Sequence, residues 1–183
     1  MAGKTMIGGV AYDIKAGKTM IGGVAYDIKA GKTLVDGVAY DIKFGAEPFV
    51  IFQLGNTALQ NGATFANKTN ISITASRGIR LNPPEEDTIA GFTVELDFTP
   101  YSTLHIGYNM ASYPTADSFN RKVGYSKNKL LRERDFDSAQ SLARGSSGEA
   151  TFDISDISGT KFIKALSDDY ASTYNYITSI YLD

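Results

Sequence analysis

The sequence lacks the residues on which much protein chemistry depends: its 183 residues include no cysteine, no tryptophan and one histidine. Without cysteine the chain forms no disulfide, no thiolate metal site and no cysteine nucleophile. The single histidine, His105, excludes a metal site with two histidine ligands in one chain, and a Ser-His-Asp mechanism would depend on that one ring. We therefore expect a protein that is not an enzyme and that holds no metal or cofactor.

The sequence also lacks an excess of either charge and any long apolar run. Eighteen basic and 20 acidic residues give a net charge of -2, which argues against broad electrostatic capture of nucleic acid. No apolar run approaches the roughly 20 residues that cross a bilayer, and the N-terminus has no apolar signal-peptide core. We expect a chain made in the cytoplasm whose partners include neither nucleic acid nor membrane.

What the sequence does contain is a tandem repeat. AGKTMIGGVAYDIK at residues 2–15 recurs unchanged at residues 16–29 and returns as AGKTLVDGVAYDIK at residues 30–43. Because the period is even, a strand presents the same face in every copy, whereas a helix rotates between copies. Each copy also contains Gly-Gly or Asp-Gly, which are two-residue signals for a tight hairpin. Residues 1–46 are therefore predicted to form a ribbon of β-hairpins.

The position of the turn predicts the pairing within each hairpin. Pairing outward from residues 8–9 sets Ile7 opposite Val10 and gathers threonine, isoleucine, valine and tyrosine on one face. A second turn at residues 16–17 would join the hairpins into a meander of six strands. That register sets Lys15 opposite Lys18, so a looser junction or a neighbouring chain between the copies is the alternative. Short hairpins with one apolar face are marginal in water, so this face needs a covering surface.

We interpret the hairpins as an assembly element, with a duplicated spacer as the alternative. Repetition turns one weak contact into a strong one when the spacing matches the partner. The covering surface would come from the C-terminal domain, from other copies of the chain or from a different protein. The predicted interface consists of equivalent positions in the three copies: Ile7, Tyr12, Ile14, Ile21, Tyr26, Ile28, Val35, Tyr40 and Ile42.

Residues 47–183 contain no repeat and are predicted to form an all-β domain. Apolar and polar residues alternate, most clearly from Phe92 to Phe98, and the intervening turns carry Gly, Pro, Asn and Asp. Eight strands are predicted, at residues 49–54, 70–74, 78–81, 91–98, 103–108, 150–154, 160–165 and 176–181. Eight short strands in a segment of this length are typical of a two-sheet sandwich.

Three segments of this domain resemble known jelly-roll sandwiches. LDFTPYSTLHIGYN at residues 96–109, TFDISDISGTKFIKAL at 151–166 and YNYITSIYL at 174–182 are similar to domains of tailed-phage virion proteins and carbohydrate-binding modules. The N-terminal copies resemble GKTLIGGTAYDI repeats of virion structural proteins. The resemblance implies a jelly-roll β-sandwich and a bacteriophage structural protein in the virion, as a capsid decoration, tail or fibre component. Such a protein assembles with its own copies and with other virion proteins.

Carbohydrate binding is the alternative function, in the form of an adhesin module for host-surface glycans. Sugar sites place exposed aromatic rings beside polar groups, and the chain has 11 tyrosines and 10 phenylalanines. The predicted platform consists of Tyr101, Tyr108, Tyr113 and Tyr125, with Asn109 and Asp117 as polar partners. Tyrosines at strand edges are also ordinary constituents of a sandwich core.

Acidic residues near turns leave two weaker alternatives open. A calcium site needs hard oxygen ligands, for which the candidates are Glu85, Glu86, Asp87, Asp168 and Asp169, although their spacing matches no defined calcium loop. A glycosidase or cell-wall hydrolase needs only two suitably separated carboxyl groups, and Asp153 and Asp156 join the candidates for that pair. His105 is expected to be a hydrogen-bonded or solvent-facing strand residue.

One stretch departs from the β pattern because it is rich in basic residues. Residues 117–144 contain seven basic and four acidic residues. A nucleic-acid groove would need more basic density with interleaved aromatic rings. We expect a long excursion between strands, in which residues 129–136 form an exposed strand or a short helix.

Overall fold

The computed structural model describes residues 4–7, 10–13, 17–21, 24–28, 31–35, 38–42, 48–85, 88–112, 120–168 and 175–183. These ranges contain strands and irregular segments but no helix, and hence no helix that could cross a membrane. The chain divides into two compact units, Met1–Glu47 and Pro48–Asp183. The prediction of an all-β chain is confirmed.

The described residues of the first unit form six strands: β1 Lys4–Ile7, β2 Val10–Asp13, β3 Gly17–Ile21, β4 Val24–Ile28, β5 Gly31–Val35 and β6 Val38–Ile42. Those of the second unit form eleven: β7 Phe49–Gln53, β8 Phe65–Thr69, β9 Ile71–Thr74, β10 Gly78–Leu81, β11 Ala90–Asp97, β12 Thr103–Asn109, β13 Arg121–Ser126, β14 Ser138–Ser141, β15 Ser147–Asp153, β16 Thr160–Ser167 and β17 Asn175–Leu182.

The first unit consists of three antiparallel hairpins, β1–β2, β3–β4 and β5–β6. Ile7 pairs with Val10, and the other two hairpins repeat this register, so the predicted pairing is confirmed. The six-stranded meander is wrong for the described residues, because their strands form three separate two-stranded sheets, in which β2 does not pair with β3 and β4 does not pair with β5. Ile14 and the side chains of the other predicted interface residues lie outside the described part, so that interface stays a prediction.

The second unit is a sandwich of two antiparallel sheets. In the sheet that we call the β12 sheet the order is β15-β12-β17-β10-β9, with β7 also pairing with β17. In the other, the β16 sheet, the order is β14-β13-β16-β11-β8. From β10 onward the chain changes sheet at every connection except β13 to β14, which gives the predicted jelly-roll type of β-sandwich.

The core lies between the two sheets and contains alternate residues of their strands. Phe92, Ile163 and Ile180 are fully buried there. Aromatic rings meet edge to face across the layer, as between Tyr125 of β13 and Phe152 of β15, whose centroids are 6.0 Å apart. This packing fixes which side chains of each strand point inward, and therefore which ones form the outer faces.

All eight predicted strands are present, with ends shifted by at most three residues. Sequence reasoning missed β8, β13 and β14, which have weak signals: FANKT and SAQS are polar edge strands, and RKVGYS carries charge and glycine. The expectation of a strand or helix at residues 129–136 is wrong, because they belong to an irregular loop between β13 and β14. Backbone carbonyls in this loop bond to side chains of the β16 sheet instead of to another strand.

Candidate functional site

The outer face of the β12 sheet carries the candidate site. Leu104 and Ile106 of β12 are buried in the core, so the residues that alternate with them, His105 and Gly107, lie on the opposite face. Directly paired residues of antiparallel strands share a face, which extends the site to β15, β17 and β7. Two neighbouring rows cross these strands.

The first row, which we call the ring row, consists of Thr151, His105 and Tyr181 on successive strands. The second, the glycine row, consists of Glu149, Gly107, Ser179 and Gln53. The ring row is tall because it contains two aromatic side chains, and the glycine row is low at its centre because Gly107 has no side chain. The sheet therefore presents an aromatic wall beside a low floor.

The aromatic wall is a stacked pair. The rings of His105 and Tyr181 lie 4.4 Å apart between centroids and are parallel within 3°. One carboxylate joins them, because Glu149 Oε1 lies 2.9 Å from His105 Nδ1 while Glu149 Oε2 accepts a 2.9 Å hydrogen bond from the Tyr181 hydroxyl. On the other side of the imidazole, Nε2 lies 3.3 Å from Asp183 Oδ1. These contacts hold both rings in one orientation.

The surroundings of Tyr181 keep its hydroxyl a hydrogen-bond donor. Partial burial raises the pKa of Tyr181, and the hydrogen bond to Glu149 and the charges of Glu149 and Asp183 raise it further. The phenol is therefore protonated at neutral pH. Glu149 uses two of its roughly four acceptor positions on the rings, and its side chain is 39% exposed, so it retains accepting capacity toward solvent or a ligand.

The floor is formed around Gly107. A Cβ atom at this position would lie 2.3 Å from Ser179 Oγ and 2.7 Å from Thr178 Oγ1, so these two hydroxyls occupy the space that a side chain would fill. The exposed residues Glu149 and Gln53 stand at the two ends of the row. The site thus combines an apolar wall, a hydroxyl-lined floor, a carboxylate and an amide, which is a set suited to binding a hydroxylated ligand.

Three of the four tyrosines predicted as a glycan platform lie elsewhere. Tyr125 is buried in the core, where its ring meets Phe98 edge to face at 5.5 Å. Tyr101 and Tyr108 are half-buried and pack against the core. Of the other predicted platform residues, Asn109 is exposed at the end of β12, and Tyr113 and Asp117 lie outside the described residues. Thus Tyr101, Tyr108 and Tyr125 do not form one exposed surface.

Sequence reasoning did not bring His105 and Tyr181 together. His105 was expected to be a hydrogen-bonded or solvent-facing strand residue, and it is a hydrogen-bonded residue of β12. The available signal was the alternation in Leu104 to Ile106 and in Ile180 to Leu182, which predicts that the residue between each apolar pair faces outward. The pairing of β12 with β17 was the missing information.

The acidic candidates mostly serve turns and loop contacts. Asp153 accepts hydrogen bonds from the backbone nitrogen and hydroxyl of Ser155, which lower its pKa. Asp168 accepts two hydrogen bonds from Asn120. Glu85 and Asp156 are exposed, while Glu86, Asp87 and Asp169 lie outside the described residues. In the described ranges, no group of three or more His, Asp or Glu residues is arranged to hold a metal ion.

Comparison with known proteins gives two distant structural likenesses. No family model matches the sequence, and no curated protein matches it. CBM29_1, a family 29 carbohydrate-binding module from Piromyces equi, is 15% identical with a TM-score of 0.47, over 75% of this chain and 90% of that one. The CBM51-2 and INT domains of Clostridium perfringens ZmpB are 10% identical with a TM-score of 0.37, over 94% of this chain and 38% of that one. At these sequence identities and TM-scores, neither likeness indicates which ligand this chain binds.

Proposed function

We propose that the Pro48–Asp183 unit is a carbohydrate-binding module that holds a glycan, such as one on a host surface, on the outer face of the β12 sheet. The observation that carries the proposal is the stacked pair of His105 and Tyr181, joined by the carboxylate of Glu149. A sugar ring has an apolar surface of C–H groups and a rim of hydroxyls. An aromatic wall beside hydrogen-bonding groups complements both parts.

The two rows define where the sugar lies. Its ring rests above Gly107 and Ser179, with C–H groups against the aromatic wall. Its hydroxyls donate to the acceptor positions that remain on Glu149 and bond to the amide of Gln53 at the other end. Because Glu149 already fixes both rings, little side-chain freedom is lost when the ligand binds. The function is binding without catalysis.

The test begins with a glycan array to identify a ligand, followed by calorimetry on two variants of Tyr181. Tyr181→Ala removes one of the two rings of the wall and is expected to weaken binding on the order of tenfold, because a buried aromatic contact contributes about 1 to 2 kcal/mol. Tyr181→Phe keeps the ring and removes only the hydroxyl, so it is expected to retain most of the affinity.

A matched control is Tyr101→Ala, which removes a half-buried tyrosine that packs against Phe49 instead of lying in the ring row. It should lower the unfolding temperature while leaving the affinity of the folded protein unchanged. The proposal fails if no glycan on the array is bound, or if Tyr181→Ala binds as tightly as the wild type.

The Met1–Glu47 unit supports a second proposal: its hairpins dock the chain onto its own copies or onto a larger particle, for which a bacteriophage virion is the candidate. The supporting observation is the shared register of the three hairpins, which puts Tyr12, Tyr26 and Tyr40 at equivalent positions. One repeated face can then make the same contact three times, and the combined contact is much stronger than each alone.

Light scattering on the purified chain tests the docking proposal in its simplest form, self-association. The wild type is expected to be larger than a monomer, and a triple change of Tyr12, Tyr26 and Tyr40 to Ser is expected to be monomeric. The control variant changes Ala11, Ala25 and Ala39 to Ser. Each of these residues directly precedes one of the three tyrosines and therefore lies on the opposite face of its strand, so this variant should assemble like the wild type. A monomeric wild type at every concentration would contradict self-association.

A further inference from the structure

Lys164 is a fully buried cation on the outer side of the β16 sheet. Its Nζ donates to the carbonyl oxygens of Leu130 at 2.7 Å and Asp135 at 2.6 Å, and it lies 4.9 Å from the centre of the Phe136 ring. These groups replace the water that a buried ammonium loses. Because Leu130 and Asp135 flank residues 131–134, one lysine holds both ends of that segment against the sheet.

This segment belongs to the loop of residues 127–137, which two further contacts stiffen. The backbone nitrogen of Lys127 donates to Asp137 Oδ2 at 2.9 Å, which closes the base of the loop. Lys122 Nζ lies 2.8 Å from Glu133 Oε1, which ties the middle of the segment to β13. The loop therefore has a defined path, although it contains no regular secondary structure.

The held segment forms one wall of an open cleft of about 490 Å³, lined by Ile89, Lys122, Arg132, Glu133 and Arg134. Three cations and one carboxylate give this lining a net charge of +2, whereas the whole chain has a net charge of -2. Glu133 is already paired with Lys122. The side chains of Arg132 and Arg134 are exposed and make no hydrogen bond or ion pair with any residue that the structure describes.

We propose that this cleft binds the carboxylate or sulfate groups of an acidic polysaccharide. A guanidinium group offers a planar fork of donors that matches an oxyanion. Two arginines line this cleft, on a segment that Lys164 anchors from beneath. Ile89 supplies an apolar surface for the C–H groups of a sugar ring. The cleft belongs to the β16 sheet, so the proposal goes beyond the glycan site on the β12 sheet and is independent of it.

Among residues 120–144, all of which the structure describes, the aromatic residues favour a polysaccharide over nucleic acid. Single-stranded nucleic acid is bound by exposed rings on which bases stack, together with basic side chains. Tyr125 lies in the core, and Phe136 is half-buried with its ring against Lys164. Neither ring is presented beside Arg132 and Arg134 as a stacking platform.

Calorimetry of the full chain with polygalacturonate, dextran sulfate and neutral dextran tests the proposal. We expect binding to at least one of the two acidic polymers, weakening as salt is added, and no binding to neutral dextran. Binding to dextran sulfate assigns the cleft to sulfate groups, and binding to polygalacturonate assigns it to carboxylates. The double variant Arg132→Gln/Arg134→Gln is expected to lose affinity on the order of tenfold or more.

The matched control is Lys127→Gln/Lys129→Gln, which removes the same charge from the same loop but from residues that do not line the cleft. Equal losses in the two double variants would overturn the proposal, since the attraction would then be general and not local. An oligothymidylate that binds more tightly than either acidic polymer, and that also depends on Arg132 and Arg134, would show that the ligand is a nucleic acid and not a polysaccharide. Tyr181→Ala should leave acidic-polymer binding unchanged, which separates this cleft from the glycan face.

Discussion

Gly78→Ala is expected to lower the free energy of unfolding by about 3 kcal/mol or more. Gly78 has a φ of +104°, and a Cβ atom built on it would lie 2.2 Å from the backbone carbonyl oxygen of Ile177. The neighbouring strand cannot yield cheaply, because Ile79 pairs with the buried Ile177 between β10 and β17. Alanine therefore adds a backbone clash to an unfavourable conformation. Denaturant unfolding followed by tyrosine fluorescence measures the loss.

Gly55→Ala separates the cost of the backbone clash from the cost of the positive φ. Gly55 has nearly the same φ, +100°, but nothing lies within 4 Å of the position that its Cβ would take. Its replacement carries the conformational cost alone, about 1 kcal/mol, and both variants restrict the unfolded chain equally. If the two variants lose the same stability, the β10–β17 contact relaxes freely and our account of Gly78 is wrong.

Local signals account for the parts of the fold that the sequence predicted well. The even repeat and its turn pairs predict the hairpin register because each partner lies within a few residues of the turn. The eight strands with clear alternation were likewise recognised, since alternation is a property of the strand itself. Strand order is different: β11 pairs with β16, which lies far along the chain, and no local pattern specifies that choice.

The same distinction applies to the candidate site. Alternation predicts that His105 and Tyr181 both face outward, but their stacking depends on the pairing of β12 with β17. The predicted glycan platform included Tyr125, whereas the structure places that ring in the core, edge to face with Phe98 and Phe152. A tyrosine side chain has an apolar ring and a polar hydroxyl, so composition alone cannot separate tyrosines of the core from tyrosines of the surface.

Lys164 shows how a loop changes the meaning of a sequence position. Lys164 lies between Ile163 and Ala165, two core residues of β16, and this alternation predicts a lysine that faces outward into solvent. The structure covers it with residues 127–137, so that burial lowers the pKa of its amine while the charges of Asp135 and Asp137 oppose the shift. The path of that loop depends on Lys164 itself, which makes the lysine a positioning residue for the cleft.

Lys164→Met is expected to accelerate tryptic cleavage of the loop about a hundredfold. Methionine keeps the apolar stem but removes two charge-assisted hydrogen bonds, each of about 1.5 kcal/mol, so local opening of the loop becomes cheaper. The carbonyls of Leu130 and Asp135 then reach water only when the loop lifts. A lifted loop can enter the trypsin active site at Lys127, Lys129, Arg132 and Arg134, whose side chains are already exposed. Mass spectrometry of the first cleavage products locates the cuts, and acidic-polymer binding should fall with them.

Lys161→Met is the matched control, because Lys161 lies on the same strand and makes no contact with the carbonyls that hold the loop. Its cleavage pattern should resemble that of the wild type. A general loss of stability would raise cleavage at basic residues throughout the sandwich, whereas release of the loop raises it only within residues 127–134. Unchanged cleavage of the loop in Lys164→Met would show that the loop keeps its path without the lysine, and the positioning role would be lost.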